Sequence, residues 1–216
     1  MLHPIMSELS AMRIVLASGS PRRKNVLSNI GLKFDVVPST FEENLDKSSF
    51  SSAVEYAKET ALRKATEVAE RLQGENRPDL VIGADTVVTL GDRIFEKPKD
   101  EKAAFEMLSQ LNGSTHHVHT GMALITPRKG SSDESEGALS VTQFHETTEV
   151  TFGDLTPAII QGYIDTGEPL DKAGGYGIQE IGGTLVKGVN GDYFNVVGFP
   201  VHSFCRQVLL LFGQTV

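Results

Sequence analysis

Only one cysteine, Cys205, occurs in the 216 residues. No internal disulfide is open to the chain, and a thiol within an apolar C-terminal stretch reads as buried and inert rather than reactive. The lack of a disulfide framework fits a reducing compartment, so the cytoplasm is the expected location. Positive charge is also in short supply: 20 Lys and Arg against 28 Asp and Glu leave a formal net charge of −8. That balance excludes the extended basic surface a polyanion needs, so no nucleic-acid partner is expected, and any anionic ligand requires a local cluster of cations. Long apolar runs are missing too. Residues 1–12 lack the stretch that makes a signal peptide or a membrane span, and no membrane partner is expected. There is no internal repeat and no linker long enough to separate two independent domains. What is present, with 39% hydrophobic residues, can bury a real core.

The apolar pattern alternates between strand and helix. Ile14-Val15-Leu16-Ala17 reads as a buried strand ending in small residues. Ser20 followed by Pro21 is a helix start: serine caps the free amides, and proline lacks an N–H that had no partner there anyway. Val26, Leu27 and Ile30 continue that helix to Gly31, and Phe34 to Val37 forms a second strand. From Ser52 to Leu72 a single apolar stripe predicts a long helix. Leu80 to Val88 is the most strand-like run, and Gly91-Asp92 is a hairpin turn into Ile94-Phe95. A helix over Lys99–Leu111, strands over Val118–Ile125 and Val141–Phe152, and helices over Leu155–Thr166 and Val201–Phe212 complete the reading. The polar, glycine-punctuated stretch Lys129–Gly137 is expected to be an exposed loop without chemistry. The predicted class is α/β with a mixed sheet.

Four motifs carry chemistry. In Ser18-Gly19-Ser20-Pro21-Arg22-Arg23 a strand runs into a capped helix whose first turn bears two arginines. Free amides, the helix dipole and bidentate guanidinium donors together make an anion trap. The alternative is two solvated arginines, although cations are disfavoured at a helix N-terminus. Asp85 sits inside the apolar run Ile82-Gly83-Ala84, where a carboxylate is costly unless it meets a cation, a metal or water. Satisfaction by backbone amides is the plainer reading. Glu96-Lys97-Pro98, just past a hairpin strand, can place a lysine at a cleft mouth, though exposed Glu-Lys pairs are common. The glycine-dense run Glu168 to Gln179 suits either backbone packed close to a ligand or a tight structural turn. His117 and His119 can share a strand face as a metal pair, but without a third ligand they fall short of a zinc signature.

Taken together and in this order, Ser18 to Arg23, Gly83-Ala84-Asp85-Thr86, Glu96-Lys97-Pro98 and Asp171 to Gln179 resemble the Maf family of nucleoside triphosphate pyrophosphatases. The resemblance runs from Arg13 to about Phe212, giving one domain over 13–213 behind an N-terminal extension, 1–12. Phe41 to Phe50 is also similar to the Maf domain that opens acetylserotonin O-methyltransferase-like proteins, with no methyltransferase portion following here. The resemblance implies a Maf/inosine triphosphate pyrophosphatase-like α/β fold, with a mixed twisted sheet flanked by helices and two lobes around a central cleft. It implies hydrolysis of a nucleoside triphosphate to monophosphate and pyrophosphate with a divalent cation, Mg²⁺ or Mn²⁺, and a homodimer. Thr86 and Gln179 are similar to the subgroup acting on dTTP and UTP. By the same resemblance Ser18, Arg22, Arg23, Lys64 and Lys97 hold the triphosphate. Glu43 (with Glu42 as its neighbour and rival) and Asp85 serve metal and water, while Thr86 and Gln179 line the base pocket. Asp85, Lys97 and Arg23 are the expected catalytic residues. Two other readings stand beside this one: a nucleotide-binding regulator of cell division without turnover, and a pyrophosphatase for non-canonical purine triphosphates.

Overall fold

A computed structural model describes residues 1–74, 77–127 and 139–213. The expected loop Lys129–Gly137 lies outside the described residues. In chain order the helices are α1 (Met6–Ala11), α2 (Pro21–Asn29), α3 (Ala53–Arg71), α4 (Glu101–Leu111), α5 (Pro157–Ile164), α6 (Tyr193–Val197) and α7 (Val201–Phe212). The strands are β1 (Ile14–Leu16), β2 (Asp35–Val36), β3 (Leu80–Leu90), β4 (Arg93–Phe95), β5 (Thr115–Pro127), β6 (Leu139–Phe152) and β7 (Val186–Asn190). Among the described residues, seven strands form one sheet in the order β2-β1-β3-β5-β6-β7, with β4 paired to β3. β1 runs parallel to β2 and β3, whereas β3 with β4 and β6 with β7 are antiparallel. The sheet is therefore mixed and flanked by helices, as the hairpin signals implied.

Side-chain caps open several of these helices. The Ser52 side chain accepts from the Glu55 amide and opens α3. Asp100 does the same for α4 and Thr156 for α5. Each cap satisfies an amide that the first helical turn leaves without a partner. The N-terminal extension is more ordered than a simple tail: Leu2, Ile5 and Leu9 are buried, at helical spacing across a 3₁₀ turn and α1. Cys205 is buried on α7, and burial raises its thiol pKa, as expected for an inert side chain.

The chain divides into two compact units. The first comprises Met1–Asp85, Gly121–His145 and Val201–Val216, the second Thr86–Thr120 and Glu146–Pro200. In the first, Ala61, Ala65 and Val68 of α3 pack on Val15, Val81, Ala123 and Ile125. Small residues on both sides let the helix come very close to the strands. A β-carbon at Gly83 would collide with the Ala61 carbonyl and lie 2.8 Å from the Ala65 methyl. One at Gly121 would overlap the backbone of Ala57 and Lys58. Only glycine permits that approach.

The second unit has an aromatic core. His116, fully buried, bonds through Nε2 to the Tyr176 hydroxyl at 2.8 Å, and its ring meets Phe152 edge-on at 4.9 Å. Its Nδ1 is buried and meets no hydrogen-bond partner among the described residues. Burial, with a smaller push from His117, lowers the His116 pKa from 6.5 to about 4. The folded state thus refuses a proton that the unfolded chain binds below pH 6.5. Stability linked to His116 is complete above that pH and drains away as pH falls towards 4, by up to about 3 kcal/mol. Urea melts at pH 7 and pH 4.5 should show it, with His116→Leu flattening the difference. A variant that loses stability with acid as steeply as the parent would contradict this assignment.

Candidate active site

Ser18 follows β1 and is 8% exposed. Its Oγ accepts from the Ser20 amide at 3.3 Å and from Arg23 Nη1 at 3.1 Å. Ser20 in turn caps α2 by accepting from the Arg23 amide. The strand-to-helix turn is therefore stitched to the guanidinium that it presents. Burial pulls the Arg23 pKa below its ordinary value, Asp85 and Glu43 pull it back up, and Arg22 lowers it further. Two arginines in the first turn of a helix repel each other and oppose the helix dipole. The nearby carboxylates Asp85 and Glu43 offset part of that repulsion at Arg23.

Asp85 lies on β3, 7% exposed, and meets the cation its burial demands. Lys64 Nζ of α3 is 2.8 Å from Asp85 Oδ1 and 2.9 Å from Glu43 Oε1. Lys64 reaches the strand because its neighbours Ala61 and Ala65 sit over Gly83. Burial raises the Asp85 pKa, opposed by Lys64 and Arg23 and assisted by Glu43. A buried carboxylate held by an ammonium in this way is a candidate proton acceptor. Both adjacent glutamates are exposed, but Glu43 reaches Lys64, whereas Glu42 accepts from Asn44 at 3.3 Å. The first unit thus brings together Ser18, Arg23, Lys64, Glu43 and Asp85.

Among the described residues, no group of three or more His, Cys, Asp or Glu side chains is arranged to hold a metal ion. The donor set nevertheless fits one kind of cation. Two carboxylates converge on one ammonium within 3 Å. Mg²⁺ is typically held by one or two carboxylates, with substrate phosphates and waters supplying the remaining ligands. His117 and His119 do not form the metal pair considered above. Their rings stack at 5.9 Å, His119 bonds to the hydroxyls of Thr89 and Thr147, and His117 lies 3.6 Å from Glu149.

Thr86, Lys97 and Gln179 belong to the second unit. Thr86, half-buried, shares a 3.0 Å hydrogen bond with the Thr120 hydroxyl. Lys97 is exposed just past β4. Gln179 is exposed on a turn whose two ends are tied down. At one end the Gly177 amide donates to the Tyr163 hydroxyl at 3.2 Å, and that hydroxyl donates to Glu168 Oε1 at 2.9 Å. At the other, the amides of Ile181 and Gly182 both donate to the Glu168 carboxylate at 3.0 Å. Buried Lys172 adds a bond to the Glu168 carbonyl at 2.8 Å and lies 3.5 Å from Glu180. The glycines here serve the turn itself: Gly174 and Gly175 are left-handed, and a β-carbon at Gly182 would meet the Tyr163 hydroxyl at 2.5 Å. The motif pattern alone assigns no role to Glu168, and periodicity alone makes Thr120 simply part of a strand. A hydroxyl among Val118, Met122, Ala123 and Leu124 was the signal that could have singled Thr120 out.

Residues 13–209 match the family of Maf-like proteins. The chain belongs to the Maf family. Its relatives include a human protein named probable bifunctional dTTP/UTP pyrophosphatase/methyltransferase, 50% identical over 213 residues. This Maf chain is covered to 98% in that match but spans only 34% of the human protein. A dTTP/UTP pyrophosphatase of Clostridium perfringens is 45% identical over 198 residues, covering 91% of this chain and 96% of its own. Among solved structures, the Staphylococcus aureus Ham1 protein overlaps 66% of this Maf chain and 72% of its own at 18% identity. The TM-score of that overlap is 0.39.

Proposed function

We propose that this protein hydrolyses dTTP and UTP to the nucleoside monophosphate and pyrophosphate. The observation that carries the reading is buried Asp85 held by Lys64 beside Arg23, in a member of a family whose relatives bear that activity in their names. In this scheme the N-terminus of α2, Ser18, Arg22 and Arg23 bind phosphate oxygens, with Lys64 and Lys97 adding charge. Asp85 orients a water and takes its proton as the oxygen attacks the α-phosphorus. The bond from that phosphorus to the bridging oxygen breaks, and pyrophosphate leaves with the electron pair. Cations fixed in advance around the leaving group stabilise the charge it gains. Glu43 and Asp85 would hold Mg²⁺ or Mn²⁺, which when bound neutralises phosphate charge.

Gln179 can both donate and accept, which suits the carbonyl and N–H edge of uracil or thymine. Gln179→Ala should raise KM for UTP about three- to ten-fold with kcat little changed, as expected for one lost hydrogen bond. An unchanged KM would remove Gln179 from the base pocket. The proposal extends to a homodimer in the cytoplasm that binds neither nucleic acid nor membrane, consistent with a net charge of −8. Among the described residues no helix is long and apolar enough to cross a membrane.

The deciding measurement is pyrophosphate release with Mg²⁺ from dTTP, UTP, CTP, ITP and GTP. Preference for dTTP and UTP supports the proposal. Preference for ITP points to a non-canonical purine pyrophosphatase, and binding without turnover of any of them points to a regulator.

A further inference from the structure

A buried chain of hydrogen bonds behind Thr86 fixes which way its hydroxyl points. Thr120, fully buried on β5, donates from Oγ1 to the Asn195 carbonyl at 3.2 Å. Its only proton is thereby committed. In the 3.0 Å contact between the two hydroxyls, Thr86 must therefore be the donor and Thr120 the acceptor. Thr86 has then also spent its single proton, so any further partner of its oxygen has to bring a hydrogen of its own.

The Asn195 carbonyl that anchors this chain is itself held on several sides. It accepts from the Gly198 amide at 2.9 Å. The Asn195 side chain donates to the Val118 carbonyl at 2.9 Å and to Thr148 Oγ1 at 3.0 Å. Thr148 passes its proton to the Asp192 carbonyl at 3.0 Å, and Asp192 caps α6 by accepting from the Phe194 amide at 2.8 Å. Reversing the Thr86 hydroxyl would break the Thr120 bond to Asn195 in a fully buried setting, where an unmet polar group is costly.

We infer that Thr120 is a positioning residue that holds the Thr86 hydroxyl as a hydrogen-bond acceptor, so that Thr86 selects a pyrimidine carrying N3–H. The inference rests on the proposed place of Thr86 in the base pocket. Uracil and thymine present a donor at N3, whereas cytosine presents an acceptor there and would face an oxygen with no proton to give. Gln179 cannot make this distinction alone, because a side-chain amide exchanges its donor and acceptor by turning over. A hydroxyl with a committed proton cannot. With Thr86 accepting from N3–H, the amide of Gln179 is left to donate to the neighbouring carbonyl.

The test is kcat/KM for UTP, CTP and N3-methyl-UTP, by pyrophosphate release, in the parent, Thr120→Val and Thr120→Ser. The parent should favour UTP and disfavour N3-methyl-UTP by ten-fold or more, roughly the value of one well-placed hydrogen bond. Thr120→Val frees the Thr86 hydroxyl to rotate and should cut the UTP-to-CTP ratio about ten-fold, while Thr120→Ser keeps it. Equal slowing of every substrate in Thr120→Val, with the ratio intact, would reduce Thr120 to a packing role and overturn the inference. So would a parent enzyme that accepts N3-methyl-UTP as readily as UTP, and that comparison needs no variant to fold. If the parent turns over none of these triphosphates, the proposed activity has failed, and this inference goes with it.

Discussion

Asp85→Asn is expected to lower kcat by roughly a hundred- to ten-thousand-fold, the usual span of a lost general base. The substitution keeps the shape and leaves an oxygen for Lys64, but it removes the carboxylate proposed to take the proton of the attacking water. Nucleotide binding should persist, because Ser18, Arg22 and Arg23 are untouched. The variant should also remain folded. Burial disfavours the ionised form of Asp85, so a neutral amide removes a charge that the folded chain holds at a cost. Lys64 keeps Glu43 at 2.9 Å as its carboxylate partner. Calorimetric titration with UTP, beside the rate of pyrophosphate release, separates binding from chemistry. A variant with near-parental kcat would exclude Asp85 from the chemical step.

Gly121→Ala should have the largest effect on stability. Elsewhere in a strand this change helps, since alanine restricts the unfolded chain more than glycine does. Here the added methyl would fall inside the backbone of Ala57 and Lys58. No rotamer can relieve that overlap, because the obstacle is the helix itself. α3 would have to move bodily away from β5, opening its packing on Ala123 and Ile125. Overpacking typically costs 1–3 kcal/mol, and a clash with main chain belongs at about 3 kcal/mol or beyond. For a chain of this size that corresponds to a Tm lower by roughly 6–12 °C. Activity should fall as well, because α3 delivers Lys64. Calorimetry would check this, and an unchanged Tm would mean that α3 and β5 are not pressed together as described.

Much of the fold could be read in advance because its signals are local. Ser20-Pro21 and Ser52 mark helix starts through bonds spanning three residues, and Gly91-Asp92 turns a hairpin within two. The extension containing α1 was missed even though Leu2, Ile5 and Leu9 fall at helical spacing, because the run is short and polar residues interrupt it. α6, only five residues long, offers too little periodicity to be seen. In the candidate site, the types of residue were visible in the motifs, but their pairings were not. Nothing near Asp85 in the sequence indicates Lys64, 21 positions earlier, as the ammonium that meets it. Nor does Gly83 announce that a helix backbone rests on it. The glycine-dense run around Gln179 left two readings open because loops built for ligands and loops built to turn share a composition. The bonds from Tyr163 and Glu168 show that the run is braced as a turn.

The seat of α3 on Gly83 and Gly121 also bears on motion. Separating Lys64 from Asp85 by local opening would require lifting a 19-residue helix off two strands at once. Openings that disrupt so much buried contact lie near the global end of the range that native proteins sample. The exposed turn bearing Gln179 is held chiefly by side-chain hydrogen bonds and belongs nearer the other end. Its surroundings can loosen on a faster timescale while the carboxylate and its ammonium stay in register. In this arrangement the pair at Asp85 is as durable as the first unit itself.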